Sequence, residues 1–127
     1  MRIDHIAMYV SDLEKSRAFY EKYFGAVSNE RYHNLKTGLS TYFLSFDNDT
    51  RLEIMSRSEC SVCGISEYAV GFTHLAFGTG SRKAVDSLTL QLEKDGYTVI
   101  GRPRVTGDGY YESVVLDIDG NRIEIME

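Results

Sequence analysis

Proline is almost absent from this chain, one residue in 127, and no low-complexity tract accompanies it. Long disorder is therefore not expected. No apolar run approaches the roughly 20 residues that span a bilayer, so no membrane partner is expected. The N-terminal stretch MRIDHIAMYV alternates instead of running apolar, and no cleavage-site pattern follows it. A secretory leader is thus not expected, and the expected compartment is the cytoplasm. Basic clusters are missing as well: the formal net charge is −5, with Lys and Arg scattered, a poor match to nucleic acid. Cysteine occurs twice, as Cys60 and Cys63 in CSVC. A structural zinc site would need a second Cys or His pair at matching spacing, and none is evident. A redox pair would sit between a strand and a helix, whereas this one falls in an expected linker, so it reads as two ordinary reduced thiols. No phosphate-loop or dinucleotide fingerprint occurs.

What the chain does contain fits one compact domain with a real core: 43% hydrophobic and 26% charged residues. It also contains the same passage twice. DTRLEIM (49–55) matches GNRIEIM (120–126), and RIDHIAMYV (2–10) matches GFTHLAFGT (71–79). His5 and His74 are 69 residues apart; Gly25 and Gly96, like Glu53 and Glu124, are 71 apart. A two-residue insertion between the second His and its Gly accounts for the difference, and an internal duplication is the leading organisation.

Local signals give each half the same order of strand, helix and three strands, an α+β pattern. SDLE (11–14) reads as a capping box with Ser11 as N-cap, and Leu13, Ala18, Phe19, Tyr20, Tyr23 and Phe24 form a broad apolar face ended by Gly25. Ser81 is the expected N-cap of the second helix, with Val85, Leu88 and Leu92 on one face and Gly96 at its end. Strands are expected at about 2–10, 28–34, 38–46 and 50–57, then 70–79, 97–101, 109–117 and 121–126, with helices at 12–24 and 81–94. The stretch 58–69 reads as the linker between modules of about 1–57 and 70–127.

Alternation in these strands puts His5 with Ile3, Ala7 and Tyr9, and Glu53 with Arg51 and Met55, opposite apolar stripes. The second half repeats this with His74 beside Phe72 and Ala76, and Glu124 beside Arg122 and Met126. For one such residue alone, a solvent-facing surface is the ordinary explanation. A repeated pair is different. If the halves pack about a pseudo-twofold, the four side chains converge, and two converging carboxylates need a positive charge between them. Two imidazoles and two carboxylates suit a divalent transition metal: nickel, zinc, cobalt, manganese or iron.

Taken together, DHIAMYVSDLEKSRAFYEKYFG, FTHLAF and LDIDGNRIEIME resemble the vicinal-oxygen-chelate superfamily, which includes glyoxalase I, bleomycin-resistance proteins, fosfomycin-resistance proteins, extradiol dioxygenases and methylmalonyl-CoA epimerase. The resemblance covers essentially the whole chain. It implies a single glyoxalase-like domain over 1–127, two βαβββ modules whose curved sheets surround a metal cleft, and His5, Glu53, His74 and Glu124 on the ligand positions. Family members differ mainly at the second ligand; a Glu there, as in Glu53, points to glyoxalase I (lactoylglutathione lyase). The implied metal is nickel or zinc first, with cobalt, manganese or iron as the others. The implied chemistry is proton transfer on a small α-oxo substrate or its thiol adduct, with Glu124 or Glu53 taking the proton. Glutathione or another thiol as cosubstrate and a homodimer are implied too. The alternatives are epimerisation, fosfomycin-type thiol addition, ring-cleaving oxygenation, or small-molecule and antibiotic binding without catalysis. Glu53 argues against oxygenation, and the full ligand set against mere sequestration.

Two positions depart from glutathione-using relatives. Tyr9 stands four residues after the first His, where they carry Arg, and Arg57 stands four after the first Glu, where they carry Asn. Another thiol adduct or another small molecule is therefore an open alternative. TGDGYYES (106–113) reads as a turn entering a strand, with a gating loop bearing Tyr110 or Tyr111 as the functional alternative. His33, Arg102 and Arg104 read as surface residues, with contact to an anionic substrate as the alternative.

Overall fold

The structure is a computed structural model, and it describes residues 3–47, 49–61 and 70–127. The chain forms two compact units, Met1–Cys63 and Gly64–Glu127. The first runs β1 (His5–Tyr9), α1 (Leu13–Phe24), β2 (Val27–Ser28), β3 (Tyr32–His33), β4 (Ser40–Ser45) and β5 (Arg51–Ser56). The second runs β6 (His74–Gly78), α2 (Arg82–Lys94), β7 (Val99–Val105), β8 (Tyr111–Leu116) and β9 (Arg122–Met126). The fold is thus α+β, made of two similar βαβββ modules. Most of the expected linker 58–69, and Cys63 with it, lies outside the described residues, while Cys60 is an exposed free thiol. No described helix is long and apolar enough to cross a membrane.

The two sheets share one plan. The first has the order β1-β5-β4-β2, with β3 also on β4; the second is β6-β9-β8-β7. In each, the outer pair is parallel and the other pairs are antiparallel. The parallel registers coincide: His5 pairs with Arg51 and Ala7 with Glu53, as His74 pairs with Arg122 and Ala76 with Glu124. Register is specified where one face is buried, because a slip of one residue would turn every apolar side chain outward. Leu52, Leu44 and Ile54 are buried in the first unit, where α1 packs on β4 and β5 with Leu13, Ser16, Phe19 and Tyr20 inward. Val115, Ile123 and Ile125 are buried in the second, where α2 packs on β7, β8 and β9 with Val85, Thr89 and Leu92 inward. Thr89 and Ser113 are buried together as a satisfied pair, Oγ1 to Oγ 2.6 Å, with Thr89 donating to the Val85 carbonyl.

Three local expectations need correction. The N-cap of α1 is Asp12, not Ser11: its carboxylate accepts from the Lys15 amide at 3.0 Å. A shift of one residue moves Glu14 off the position a capping box requires, and it pairs instead with Arg17, Arg31 and the Tyr42 hydroxyl. Asp12→Ala is expected to destabilise the protein measurably and Ser11→Ala by much less; urea unfolding of both variants separates the two caps. The expected strand 28–34 is two short strands, since the pairing with β4 shifts by one residue between Ser28–Leu44 and Tyr32–Thr41. The seventh strand runs on to Val105 through Pro103, which an edge strand tolerates because one row of its amides needs no ladder partner. Ser81 caps α2 as expected, accepting from the Ala84 amide, and Gly25 ends α1 at φ 65°, the left-handed conformation glycine adopts without steric cost.

Candidate functional site

Each helix covers one face of its sheet, and the His and Glu side chains stand on the other. Along β5 and β9, Leu52, Ile54, Ile123 and Ile125 are buried, while Glu53 and Glu124 between them are only partly so. That answers why a carboxylate recurs between large apolar neighbours: the neighbours go to the core and the carboxylate to the open face. Ala7 and Ala76 lie directly across the parallel ladder from the two carboxylates, and a methyl group leaves them uncovered.

In the first unit, His5 Nε2 lies 3.8 Å from Glu53 Oε2. Its other ring nitrogen, Nδ1, is 3.0 Å from Asp4 Oδ2. Asp4 is bound in turn by the Arg51 guanidinium, which stacks over Phe43 at 4.9 Å. The Phe43 ring meets His5 edge-on at 5.2 Å. The hydrogen bond from His5, reinforced by Arg51, holds the Asp4 carboxyl below its ordinary range.

The second unit repeats the pair with different supports. His74 Nε2 is 3.2 Å from Glu124 Oε2, and His74 Nδ1 is 3.0 Å from the Thr73 hydroxyl. Both imidazoles are 38% exposed, against 17% for Glu53 and 19% for Glu124, so the rings are the accessible members of each pair. Burial pushes the Glu124 carboxyl above the ordinary Glu range; His74 opposes the shift, and the charge of Glu112 adds to it. Glu112 is a further carboxylate on this face, 12% exposed and 3.5 Å from Arg104.

Sequence periodicity did not separate Arg104 from Arg102. Arg102 and Arg104 have the same parity, yet Arg102 forms a two-armed ion pair with Glu93 of α2, while Arg104 reaches Glu112 on the open face. A register shift between Gly101 and Arg104 turns the strand over. Gly101 permits the approach, since a Cβ there would come within 3.2 Å of the Arg104 guanidinium and of Val114. Asp4, Thr73 and Glu112 were missed; the one available signal was that a hydrogen-bonding residue precedes each His. Other candidates fall away. The Tyr111 hydroxyl donates to Asp86 of α2 at 2.7 Å, on the helix side, and Tyr110 is exposed at the β7–β8 turn. His33 is tied to Ser40 Oγ at 2.7 Å, and Arg57 pairs with Glu59 at 3.5 Å. Tyr9 is 52% exposed on the His5 face.

The structure therefore brings His5 to Glu53 and His74 to Glu124. Among the described residues, no group of three or more His, Cys, Asp or Glu side chains comes together. The donor set of imidazole nitrogens and carboxylate oxygens fits a borderline divalent cation. In each pair a carboxylate is withdrawn from water beside an accessible imidazole, and a cation would relieve that desolvation.

Comparison with known proteins matches the chain to a family. The model of the Glyoxalase/Bleomycin resistance protein/Dioxygenase superfamily matches residues 2–125. The Bacillus subtilis (strain 168) protein YqjT is 30% identical over 125 residues, 96% of this chain and 95% of its own. The glutathione transferase FosA of Serratia marcescens is 26% identical over 97% of this chain and 78% of its own. Among solved structures, a glyoxalase family protein from Enterococcus faecalis superposes with a TM-score of 0.81 at 23% identity, covering 99% of this chain and 97% of that one. These observations make the chain a member of the Glyoxalase/Bleomycin resistance protein/Dioxygenase superfamily.

Proposed function

We propose that the protein is a metal-dependent lyase or isomerase of the glyoxalase I kind, acting by proton transfer on a small α-oxo compound or its thiol adduct. The observation that carries this is the repeated pair: one His and one Glu at the same register on the open face of each sheet. His5, Glu53, His74 and Glu124 are the proposed ligands of one divalent transition metal, nickel or zinc before cobalt, manganese or iron. When bound, such an ion supplies Lewis acidity to a substrate oxygen.

The chain's own residues supply the rest. Glu124 is the stronger base candidate, because burial raises its affinity for a proton. It takes a proton from the substrate carbon and returns it to the neighbouring one. Its partner His74 opposes that shift. Glu53 is the corresponding carboxylate of the first unit. Arg104 faces the same side as Glu124 and offers a guanidinium to an anionic substrate group. The proposed substrate is a small molecule, and the proposed assembly is a homodimer.

A second reading, thiol addition, is favoured by the likeness to FosA along nearly the whole chain. One set of experiments separates the two. Metal content is measured by elemental mass spectrometry; turnover is then followed on methylglyoxal hemithioacetals of several thiols and, separately, for thiol addition to an epoxide. The expected result is about one transition metal per chain and isomerisation of a hemithioacetal. A chain that takes up no nickel, zinc, cobalt, manganese or iron would overturn both readings and leave a ligand-binding role.

A further inference from the structure

Arg102 and Arg104 lie two residues apart on β7 and are used very differently. Arg102 is saturated by Glu93, two arms to two oxygens. Arg104 meets Glu112 through one arm alone, Nη2 to Oε1 at 3.5 Å, the outer limit of a hydrogen bond. Glu112 is its one hydrogen-bond partner among the described residues. The other arm, Nη1, lies over Gly101, where an added Cβ would stand 3.2 Å from it. The Arg104 side chain is 51% exposed and that of Glu112 only 12%, so the guanidinium is the accessible member of the pair.

The duplication supplies an internal control. In the second sheet Arg104 pairs with Glu112, and Glu112 with Met126. In the first sheet the same row reads Tyr32, Thr41 and Met55. Glu112 and Met126 stand 71 residues after Thr41 and Met55, the spacing of the repeat. One unit therefore folds with a neutral row where the other carries a guanidinium and a carboxylate, so the sheet does not require these charges. Glu124 lies on the next row of the same open face, opposite Val114. Two strand spacings set the backbones of Arg104 and Glu124 about 10 Å apart. Long side chains shorten that to the span of a small molecule with its reacting carbon at one end and an anionic group at the other.

We propose that Arg104 is a specificity-determining residue that selects substrates bearing a single carboxylate remote from the reacting carbon. The planar fork of the guanidinium matches a carboxylate with two parallel hydrogen bonds. Glu112 holds the fork over the open face while no substrate is bound, and it yields to a better-placed carboxylate because it offers one long bond only. Its charge, with that of Glu124 on the same face, disfavours a doubly charged phosphoryl group. The proposal rests on the reading of this face as substrate-binding under Proposed function, and it needs the second unit alone.

Binding is read by nitrogen–proton NMR of the purified protein, on the Arg104 Nε–H signal identified by its loss in Arg104→Met. Three lactate thioesters are titrated: that of β-mercaptopropionate, its carboxamide, and that of mercaptoethylphosphonate. The carboxylate compound is expected to shift the Arg104 signal and to bind about tenfold tighter than the carboxamide, the worth of a hydrogen-bonded contact between charged groups. The preference should disappear in Arg104→Met and shrink in Gly101→Ala, whose Cβ crowds the guanidinium. The double variant Arg104→Tyr with Glu112→Thr copies the neutral pair of the first unit. It should keep the fold by circular dichroism and lose the preference, which separates recognition from folding. Equal binding of carboxylate and carboxamide by wild type, a preference that survives Arg104→Met, or tighter binding of the phosphonate overturns the proposal and leaves the proton-transfer reading standing. Failure of wild type to bind any of the three overturns it as well. A carboxylate preference carried by Arg104 in a protein that turns over no hemithioacetal sinks the proton-transfer reading instead and keeps Arg104 as a carboxylate site.

Discussion

Glu124→Gln is expected to lower kcat by about 10²–10⁴-fold with metal in excess, and to raise the thermal midpoint of the metal-free protein at neutral pH. Both effects come from the same carboxyl. Its position between Ile123 and Ile125 on β9 removes it from water, and the proton-bound form is favoured accordingly. That is what a general base needs, and the amide cannot replace it. The stability effect has the opposite sign. A carboxyl whose folded pKa is raised contributes stability that is fully present below the unfolded pKa and lost as pH rises through the folded one. Where the wild-type carboxyl is ionised it is a partly desolvated charge beside His74, whereas Gln is neutral at every pH. The gain should shrink as pH falls below the ordinary Glu range, where wild type is protonated as well. Thermal unfolding of both proteins at two pH values, followed by circular dichroism, reads the difference. An unchanged kcat would remove Glu124 from the chemistry, and a midpoint lowered at neutral pH would remove the argument from burial.

Stripping metal with a chelator is expected to abolish turnover and to lower the thermal midpoint, with recovery on adding nickel or zinc. Binding to the folded state alone stabilises it by about 2.7 kcal/mol when free metal is 100 times Kd. For a chain of this size that corresponds to a shift on the order of 10 °C in the midpoint. Glu53→Gln should reduce both the metal content and the stabilisation, since it withdraws one of the proposed carboxylate ligands from the first unit. Calorimetric scans with and without metal, run beside the turnover assay, check this. A midpoint indifferent to metal, with turnover surviving exhaustive chelation, would contradict the proposed site.

The two predictions depend on different depths of structure. Glu53 and Glu124 were legible as a pair because duplication repeats them and because strand alternation separates them from their apolar neighbours. His5 and His74 were legible for the same reasons, and the identical parallel registers agree with the pairing that repetition implies. The helix ends at Gly25 and the Ser81 cap were legible because they depend on residues within one turn. The Asp12 cap was not, since Ser11 and Asp12 offer equivalent acceptors and tertiary contacts of Glu14 with Arg31 and Tyr42 decide between them.

What the amino-acid order determined by itself was the plan: two βαβββ modules, which face of each strand is apolar, and which His and Glu occupy the other face. These follow from periodicity, a short-range property that survives in any register. What the tertiary structure decided was which residues surround that plan. The register shift in β7 turned Arg104 to the open face and left Arg102 on α2. The Asp86 contact took Tyr111 to the helix side, and Arg51 brought Asp4 against His5. Each depends on a partner 8 to 47 residues away. Long-range pairing of this kind is chosen by the packing of the whole sheet, which no local pattern encodes.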